Sequence, residues 1–287
     1  MLEWTRGFFR EHEVESPRLC AEILLAHAMG CERIELYTRH ESIPDQDVLR
    51  RFRSVVKQAA AGRPIGHLTG RKEFFSLEFE VTPKVLIPRP ETEVLVERAI
   101  HLVRHGKDEI RSILDLGTGS GCIAVSLAKN LPQVPIFACD VSEAALAVAR
   151  RNAERHGVLE RIGFRLGDLF EPWEPDRRFD VIVSNPPYIA ESEAASLPTN
   201  VRDFEPHAAL FAGADGLDVL RRLLAEAPGH LAPGGHLLTE VAYNQSAAVR
   251  SLLDETVWRD IVTYRDDLGH ERVVHARRRA NDQPQVA

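Results

Sequence analysis

The sequence holds little of what a metal-bound, disulfide-stapled or membrane-spanning chain would need. Its four cysteines are Cys20, Cys31, Cys122 and Cys139. None belongs to a CxxC pair or a His/Cys cluster, so neither a zinc site nor a disulfide framework is expected. Isolated cysteines are usually small buried hydrophobes, which is the expectation for these four. The twelve histidines form no HExxH or triad-like group. No run of about 18 apolar residues occurs, so no membrane span is expected. The opening, MLEWTRGFFREHEVESPRL, scatters charges among its apolar residues and has no signal-peptide core. A cytoplasmic location is the resulting expectation. An excess of positive charge is also missing: the formal net charge is -7 and the pI near 6.0. That argues against a protein gripping bare nucleic acid by its phosphates, which takes a basic surface. No internal repeat is visible.

What is present is ordinary globular material, 44% hydrophobic and 28% charged, in 287 residues. A core can form, and the length suits one large domain with a small one. The first 60 or so residues read as helix after helix. Ser16-Pro17 has the form of an N-cap with proline at the first helical position, followed by Leu19, Ile23, Leu24 and Ala26 at helical spacing. Pro44-Asp45 opens a second run through Leu49, Phe52, Val56 and Ala60, which Gly62 and Pro64 end. The period then changes to two: Phe75, Leu77, Phe79 and Val81 alternate with Ser76, Glu78 and Glu80, predicting a half-buried strand. With Ile65-Gly66-His67-Leu68 ahead of it, residues 64–84 are expected to form a β-hairpin linker. The prolines of Val85–Glu93 suit an extended loop entering a helix whose apolar face carries Leu95, Ala99, Leu102 and Val103.

From Arg111 onward strands and helices alternate. Strands are predicted at 112–116, 134–139, 163–166, 180–184 and 236–241, and helices at 122–131, 143–156 and 217–231. Residues 261–264 and 272–276 would close the sheet as a final antiparallel pair. The fold class is therefore α/β: a doubly wound, mostly parallel sheet of seven strands with a small N-terminal all-helical domain. The expected boundaries are 1–63 for the helical domain, 64–84 for the hairpin, 85–278 for the catalytic domain and 279–287 for a flexible tail. The run Arg277-Arg278-Arg279 reads as the start of solvated tail rather than a nucleic-acid patch.

Two motifs carry chemistry. The first is Asp115-Leu116-Gly117-Thr118-Gly119-Ser120-Gly121, which follows a strand and opens a helix. Its glycines allow a tight turn and close approach of backbone to a ligand, and the helix beyond offers unpaired N–H donors. Asp140 ends the next strand, where an acid can accept from both hydroxyls of a ribose. An adenosine-type ligand is implied, either a nicotinamide dinucleotide or S-adenosylmethionine. The spacing is GxGxG and departs from the GxGxxG dinucleotide fingerprint. The second motif is Asn185-Pro186-Pro187-Tyr188, directly after a strand. Its chance occurrence in a chain of this length is on the order of one in a thousand. The Asn185 side-chain oxygen accepts hydrogen bonds. Pro186 and Pro187 have fixed φ and no N–H, so carbonyl oxygens can be held facing one way. Tyr188 offers a flat face for stacking. Two aligned acceptors suit a planar NH2, a poor nucleophile because its lone pair is delocalised. Gripping both N–H bonds with the Asn185 oxygen and the Pro186 carbonyl would aim that lone pair at an activated methyl group and favour the charge that develops on nitrogen. No strong general base is then required.

With these residues the chain resembles the class I methyltransferases that carry an Asn-Pro-Pro-Tyr motif, and more narrowly the bacterial release factor glutamine methyltransferases. The resemblance covers nearly the whole chain. It includes the helical module and hairpin, Leu86-Ile87-Pro88-Arg89-Pro90-Glu91-Thr92-Glu93, the loop Asp115–Gly121, Asp140, Gly167-Asp168-Leu169-Phe170 and Asn185–Tyr188. It implies a Rossmann-like methyltransferase fold and S-adenosylmethionine as cofactor, with S-adenosylhomocysteine as product and no metal. Gly117, Thr118, Gly119, Ser120 and Gly121 would line its methionine and adenosine parts. Asp140 would hold the ribose, and Asp168 and Leu169 would lie by the adenine. Some relatives have Trp where Leu169 stands, so apolar packing rather than an aromatic stack is expected there. Asn185, Pro186, Pro187 and Tyr188 would hold the substrate amide, with Asn185 also bordering the cofactor. The implied substrate is the glutamine of a Gly-Gly-Gln motif in class I peptide chain release factors, methylated at N5, and the helical domain would help dock that protein. Neither nucleic acid nor membrane is an expected partner, and a monomer is the default. Glu91 and Glu93 read as acids at a helix N-terminus, with Glu91 a possible pocket wall. Glu240, ending a strand at the ligand-binding rim, is a second. The rival readings are an adenine N6-type nucleic-acid methyltransferase, which the same tetrad would serve, a non-catalytic adaptor, and a nicotinamide-dinucleotide enzyme.

Overall fold

The computed structural model describes residues 1–38 and 44–280. The tail expected over 279–287 lies, from residue 281 on, outside the described residues. The chain runs α1 (Leu2–Glu11), α2 (Pro17–Met29), α3 (Glu35–Thr38), α4 (Gln46–Ala60) and α5 (Ile65–Thr69), then β1 (Arg71–Phe74) and β2 (Leu77–Glu80). There follow α6 (Glu93–His105), β3 (Ile113–Leu116), α7 (Cys122–Asn130), β4 (Ile136–Asp140), α8 (Glu143–Arg155), β5 (Ile162–Leu166) and β6 (Phe179–Ser184). The last elements are α9 (Thr199–Arg202), α10 (Asp218–His230), β7 (Leu231–Glu240), α11 (Ser246–Ser251), β8 (Trp258–Arg265) and β9 (Glu271–Arg278). They divide into two compact units. One holds Met1–Arg71 together with Leu197–Glu205; the other holds Lys72–Ser196 and the chain from Pro206 onward.

The first unit is all helical. Asp45 caps α4 by accepting from the Val48 backbone N–H at 2.8 Å. At spacings of four, four and three residues, α4 then buries Val48, Phe52, Val56 and Ala59. These meet Phe9 of α1 and Ala21, Leu24, Leu25 and Ala28 of α2 in one core. Ser16 stands at the cap of α2 in the left-handed region (φ 46°) and makes no side-chain capping bond, so only Pro17 acts there as the sequence suggests. Leu19, expected on the apolar face, is exposed. Glu22 is buried and accepts from Arg18 (2.9 Å), Arg33 (3.0 Å) and Tyr37 (2.8 Å). Burial pushes its carboxyl up, but these three hydrogen bonds together hold it below the ordinary range. The segment Leu197–Glu205 belongs to this unit through Thr199, which packs so closely on Gly62 that a Cβ there would lie 3.3 Å from its methyl.

The second unit opens with the hairpin, and here the expectation changes. Ile65–Thr69, read as part of the hairpin linker, is the short helix α5, and the single strand read through Phe75 is two strands. Phe75 and Ser76 are both left-handed (φ 50° and 59°), which is the twist that a two-residue hairpin turn demands. The Phe75 N–H is held by the Glu93 carboxylate at 2.9 Å, from the first residue of α6. Phe74 and Phe79 still reach the core.

The main sheet has the order β5-β4-β3-β6-β7-β9-β8. β3 to β7 run parallel, and β9 lies antiparallel between β7 and β8, as the two C-terminal apolar segments predict. Both faces are covered, so β3 alternates its apolar side chains between them. Ile113 faces the core built with α6 and α7, and Leu114 the core built with α10. The strand order reverses between β3 and β6, and ligands of doubly wound sheets bind outside the carboxyl ends of the strands at such a reversal. Arg277 and Arg278, read as the start of the tail, lie in β9; Arg277 is tied to the Gly234 carbonyl at 2.9 Å and Asp108 at 2.7 Å. Among the described residues no helix is long and apolar enough to cross a membrane.

Candidate active site

Strand register brings the two motifs together. Leu116 of β3 pairs with Cys139 of β4 and with Ser184 of β6, and Ser184 pairs with Thr239 of β7. The next residue on each strand is therefore Gly117, Asp140, Asn185 or Glu240, and these four stand in a row along the carboxyl edge of the sheet.

The glycine loop begins there. Gly117, Gly119 and Gly121 have φ of 72°, 56° and 81°, all left-handed. A Cβ at Gly117 would meet nothing within 4 Å, so the backbone borders open space. A Cβ at Gly121 would come within 3.0 Å of the Ala149 side chain, so glycine is needed for α7 to pack on α8. Asn152, fully buried, donates to the Ser120 carbonyl at 2.9 Å and pairs with both backbone groups of Glu80. It thus supports the loop from below and ties it to the hairpin. The Asp140 carboxylate accepts from the Gly119 N–H at 2.8 Å and from the Ser142 N–H at 2.9 Å. Burial pushes it up from its ordinary value, and those two bonds oppose the push. Each oxygen keeps a second lone pair for a ligand. Asp115, which sequence reading did not single out, is fully buried beneath the loop. Thr118 donates to its Oδ2 at 2.6 Å and the Ala124 backbone N–H also acts on the carboxyl, while Oδ1 has no close hydrogen-bond partner among the described residues. Burial raises this carboxyl to about 7.

Asp168 and Leu169 follow β5. The Asp168 carboxylate pairs with Arg222 at 2.8 Å near the surface. Leu169 turns through φ 46° and buries its side chain with Phe170 and Trp173.

The tetrad follows β6. Asn185 donates its amide N–H to the Thr92 hydroxyl at 3.0 Å. The Tyr188 hydroxyl donates to Glu240 Oε1 at 3.2 Å, and the Tyr188 carbonyl accepts from the Gln245 amide at 2.8 Å. A Cβ at Gly216 would fall 2.3 Å from that carbonyl, so this chain crossing needs glycine. Glu240 is 1% exposed and its Oε2 has no close hydrogen-bond partner among the described residues. Burial raises it to about 7, against the hydroxyls of Thr92 and Tyr188 and the charge of Arg272, while Glu91 adds to the rise. Burial and the neighbouring Glu240 keep the Tyr188 phenol neutral well above its ordinary range.

The sequence-predicted glycines, Asp140, Asn185, Tyr188 and Glu240 thus share one edge, Glu91 acts on Glu240 electrostatically, and Asp168 is engaged by Arg222. Thr92, Asp115 and Gln245 were missed. Thr92 and Asp115 both lay within quoted motifs without a role assigned; the partner of Thr92 is 93 residues away, a pairing that no local pattern reveals.

Comparison with known proteins agrees along the chain. Residues 1–70 match the PrmC N-terminal domain family and residues 92–201 the Methyltransferase small domain family. The release factor glutamine methyltransferase of Rhodopirellula baltica is 44% identical over 277 residues, covering 96% of this chain and 94% of that protein. Its counterpart in Geobacter sulfurreducens is 43% identical, covering 96% and 95%. The solved T. thermophilus 16S rRNA N2 G1207 methyltransferase, in complex with AdoMet and guanosine, superimposes with a TM-score of 0.51 at 20% identity, covering 73% of this chain and 50% of that one. At that identity the likeness bears on fold alone. On the strength of full-length relatives, with a sheet edge that assembles both motifs, the chain belongs to the release factor glutamine methyltransferase family.

Proposed function

We propose that this protein transfers a methyl group from S-adenosyl-L-methionine to the side-chain amide nitrogen, N5, of the glutamine in the Gly-Gly-Gln motif of class I peptide chain release factors, leaving S-adenosyl-L-homocysteine. The observation that carries this reading is the Asn185 amide. Its N–H end is spent on Thr92 at 3.0 Å, which leaves the oxygen end as an acceptor.

The residues at the edge fit the cofactor. The open space over Gly117, the carboxylate of Asp140 with lone pairs to spare, and the unpartnered buried Oδ1 of Asp115 suit a ligand bearing ribose hydroxyls and an amino group. Gly117, Thr118, Gly119, Ser120 and Gly121 would hold its methionine and adenosine parts, Asp140 its ribose, and Asp168 and Leu169 would border its adenine. When bound, the cofactor supplies a methyl already activated by a sulfonium. Asn185 Oδ1 and the Pro186 carbonyl accept the two N–H bonds of the glutamine amide and fix its plane. Pro187 stiffens that turn, and the Tyr188 ring bounds it, its hydroxyl moored to Glu240. These acceptors also stabilise positive charge developing on nitrogen, which makes the N–H acidic enough to leave without a dedicated base.

For the helical unit we propose docking of the release factor. Support comes from a groove of about 400 Å³ lined by Arg6, Arg10, Arg18, Arg33 and Tyr37, with Trp4 and Ile34 exposed on the same unit. Arginine and aromatic residues dominate protein-binding hot spots. The protein acts as a monomer in the cytoplasm. The adenine-N6 alternative is disfavoured by the net charge of -7.

The test is transfer of labelled methyl to purified release factor, DNA and RNA, with mass spectrometry of the Gly-Gly-Gln peptide. A gain of one methyl on that glutamine is expected. Label on nucleic acid alone, or full activity in Asn185→Ala, would overturn the reading.

A further inference from the structure

We infer that Gln245 is a positioning residue for the reaction: its side-chain amide moors the exit of the Asn-Pro-Pro-Tyr turn and so sets where the Pro186 carbonyl stands. This rests on the reading that the Asn185 oxygen and the Pro186 carbonyl accept from the substrate amide.

A backbone acceptor has no side chain to steer it. Asn185 and Pro186 each precede a proline and are pushed toward extended backbone, and both prolines have a fixed φ. The turn is therefore a stiff unit, and the place of its carbonyls depends on how its two ends are held. The entry is held by β6, which ends at Ser184 in register with Leu116 and Thr239. The prolines offer no N–H by which a neighbour could hold the middle. At the exit the Tyr188 carbonyl accepts from Gln245 Nε2 at 2.8 Å. The bonds from Asn185 to Thr92 and from the Tyr188 hydroxyl to Glu240 act on side chains, whereas this one acts on the main chain.

Gln245 is itself firmly set. Its Oε1 accepts from the Ala242 N–H at 3.2 Å while Nε2 faces the Tyr188 carbonyl. Both partners are main-chain groups of fixed polarity, so the amide has one favourable way round. Its own N–H donates to the Ala242 carbonyl at 2.9 Å, and its carbonyl accepts from the Val249 N–H at 2.9 Å. Val249 of α11 is buried in the core built with α10, which roots this segment. Gly216 keeps the space for the contact: a Cβ there would fall 2.3 Å from the Tyr188 carbonyl and 3.0 Å from Gln245 Nε2. Gln245 need not touch the substrate. The family motif draws attention to Asn185 to Tyr188, whereas the residue that holds the end of that turn lies 57 residues further along the chain.

The experiment compares Gln245→Met and Gln245→Glu on the full chain, with release factor as substrate. Methionine keeps the reach of the side chain and loses both hydrogen bonds. Glutamate keeps the acceptor for Ala242. When ionised it sets an oxygen against the Tyr188 carbonyl, and when protonated it regains a donor. Both variants are expected to lower kcat at pH 8 by at least about tenfold, because small displacements of a positioning group are costly. KM for release factor and the calorimetric Kd for S-adenosylmethionine should stay within about twofold of the parent's. As pH falls from 8 to 5.5, kcat of Gln245→Glu relative to the parent should rise, since a carboxyl facing a carbonyl oxygen holds its proton more tightly. The same ratio for Gln245→Met should stay level. A kcat near the parent's in folded, cofactor-binding Gln245→Met, or a ratio for Gln245→Glu that does not change with pH, would overturn the inference. Should Gln245→Met not fold, the pH profile of Gln245→Glu decides it alone. Asn185→Ala run in parallel separates the two levels. If that variant is active, the functional reading itself fails. If it is inactive while Gln245→Met is not impaired, only the mooring inference fails.

Discussion

In the proposed reading Asp140 has two tasks, bracing the glycine loop and holding the ribose, and they can be separated. Its carboxylate accepts from the Gly119 and Ser142 N–H groups, and each oxygen has a further lone pair. Asp140→Ala removes a charge-assisted acceptor, an effect of about 1.5–3 kcal/mol for a hydrogen bond to a charged group. Calorimetry should show S-adenosylmethionine binding weakened by at least about tenfold. Unchanged affinity would remove Asp140 from the cofactor site. At this scale the sequence marked out residues by local pattern, and the fold brings them to one sheet edge. The glycines, Asp140 and the Asn-Pro-Pro-Tyr tetrad each announce themselves by type and spacing. It did not show Asp115 as a buried acid with an unpartnered oxygen, because a strand reading Ile-Leu-Asp-Leu gives no sign of which face the acid takes.

Elements tell a similar story. The parallel strands and their helices follow from apolar runs between turn signals, and their ends agree with the expected ones to within a few residues except at β7. That strand begins at Leu231, ahead of Pro233-Gly234-Gly235, residues that normally signal a turn. Within the expected hairpin, the place of the turn was hidden for a different reason. Phe75, Leu77 and Phe79 keep the period of one strand, yet Phe75 occupies the turn itself, held there by Glu93. Packing between elements yields a sharp prediction at Gly121. A Cβ there would meet Ala149 at 3.0 Å and would also sit at φ 81°. Gly121→Ala should destabilise by about 2–4 kcal/mol, combining overpacking with backbone strain. Denaturant titration would register this as a lower midpoint with unchanged slope; a midpoint equal to the parent's would refute the packing account.

On the scale of the whole molecule, buried ionisable groups should shape stability with pH in opposite senses. Burial raises Glu240 from the ordinary 4.5 to about 7. The folded chain then keeps a proton that the unfolded chain releases, so this stabilisation is full below about 4.5 and lost as pH rises through about 7. His275 is pushed by burial from 6.5 to about 4, beside His236 at 3.0 Å. Its contribution is full above 6.5 and lost as pH falls toward 4. Glu240→Gln should therefore gain in melting temperature relative to the parent as pH goes from 5 to 8. His275→Phe should gain relative to the parent as pH goes from 7 to 5. Melting curves that stay parallel to the parent's across those ranges would contradict both assignments.

The division into units was legible only in part. Sequence reading finds a helical module at the start of the chain, but nothing in residues 197–205 marks them as belonging to it. They join it because Thr199 fills the space that Gly62 leaves open. The module is thus encoded in two separate stretches of sequence. Anyone building chimaeras between relatives should exchange both stretches together. Grafting only the first 71 residues would set a foreign surface against Thr199, and a chain trimmed of those residues would carry an orphaned nine-residue patch that had lost its neighbour. Trimmed proteins in which a short linker replaces 197–205 should express with less aggregation than those that keep it.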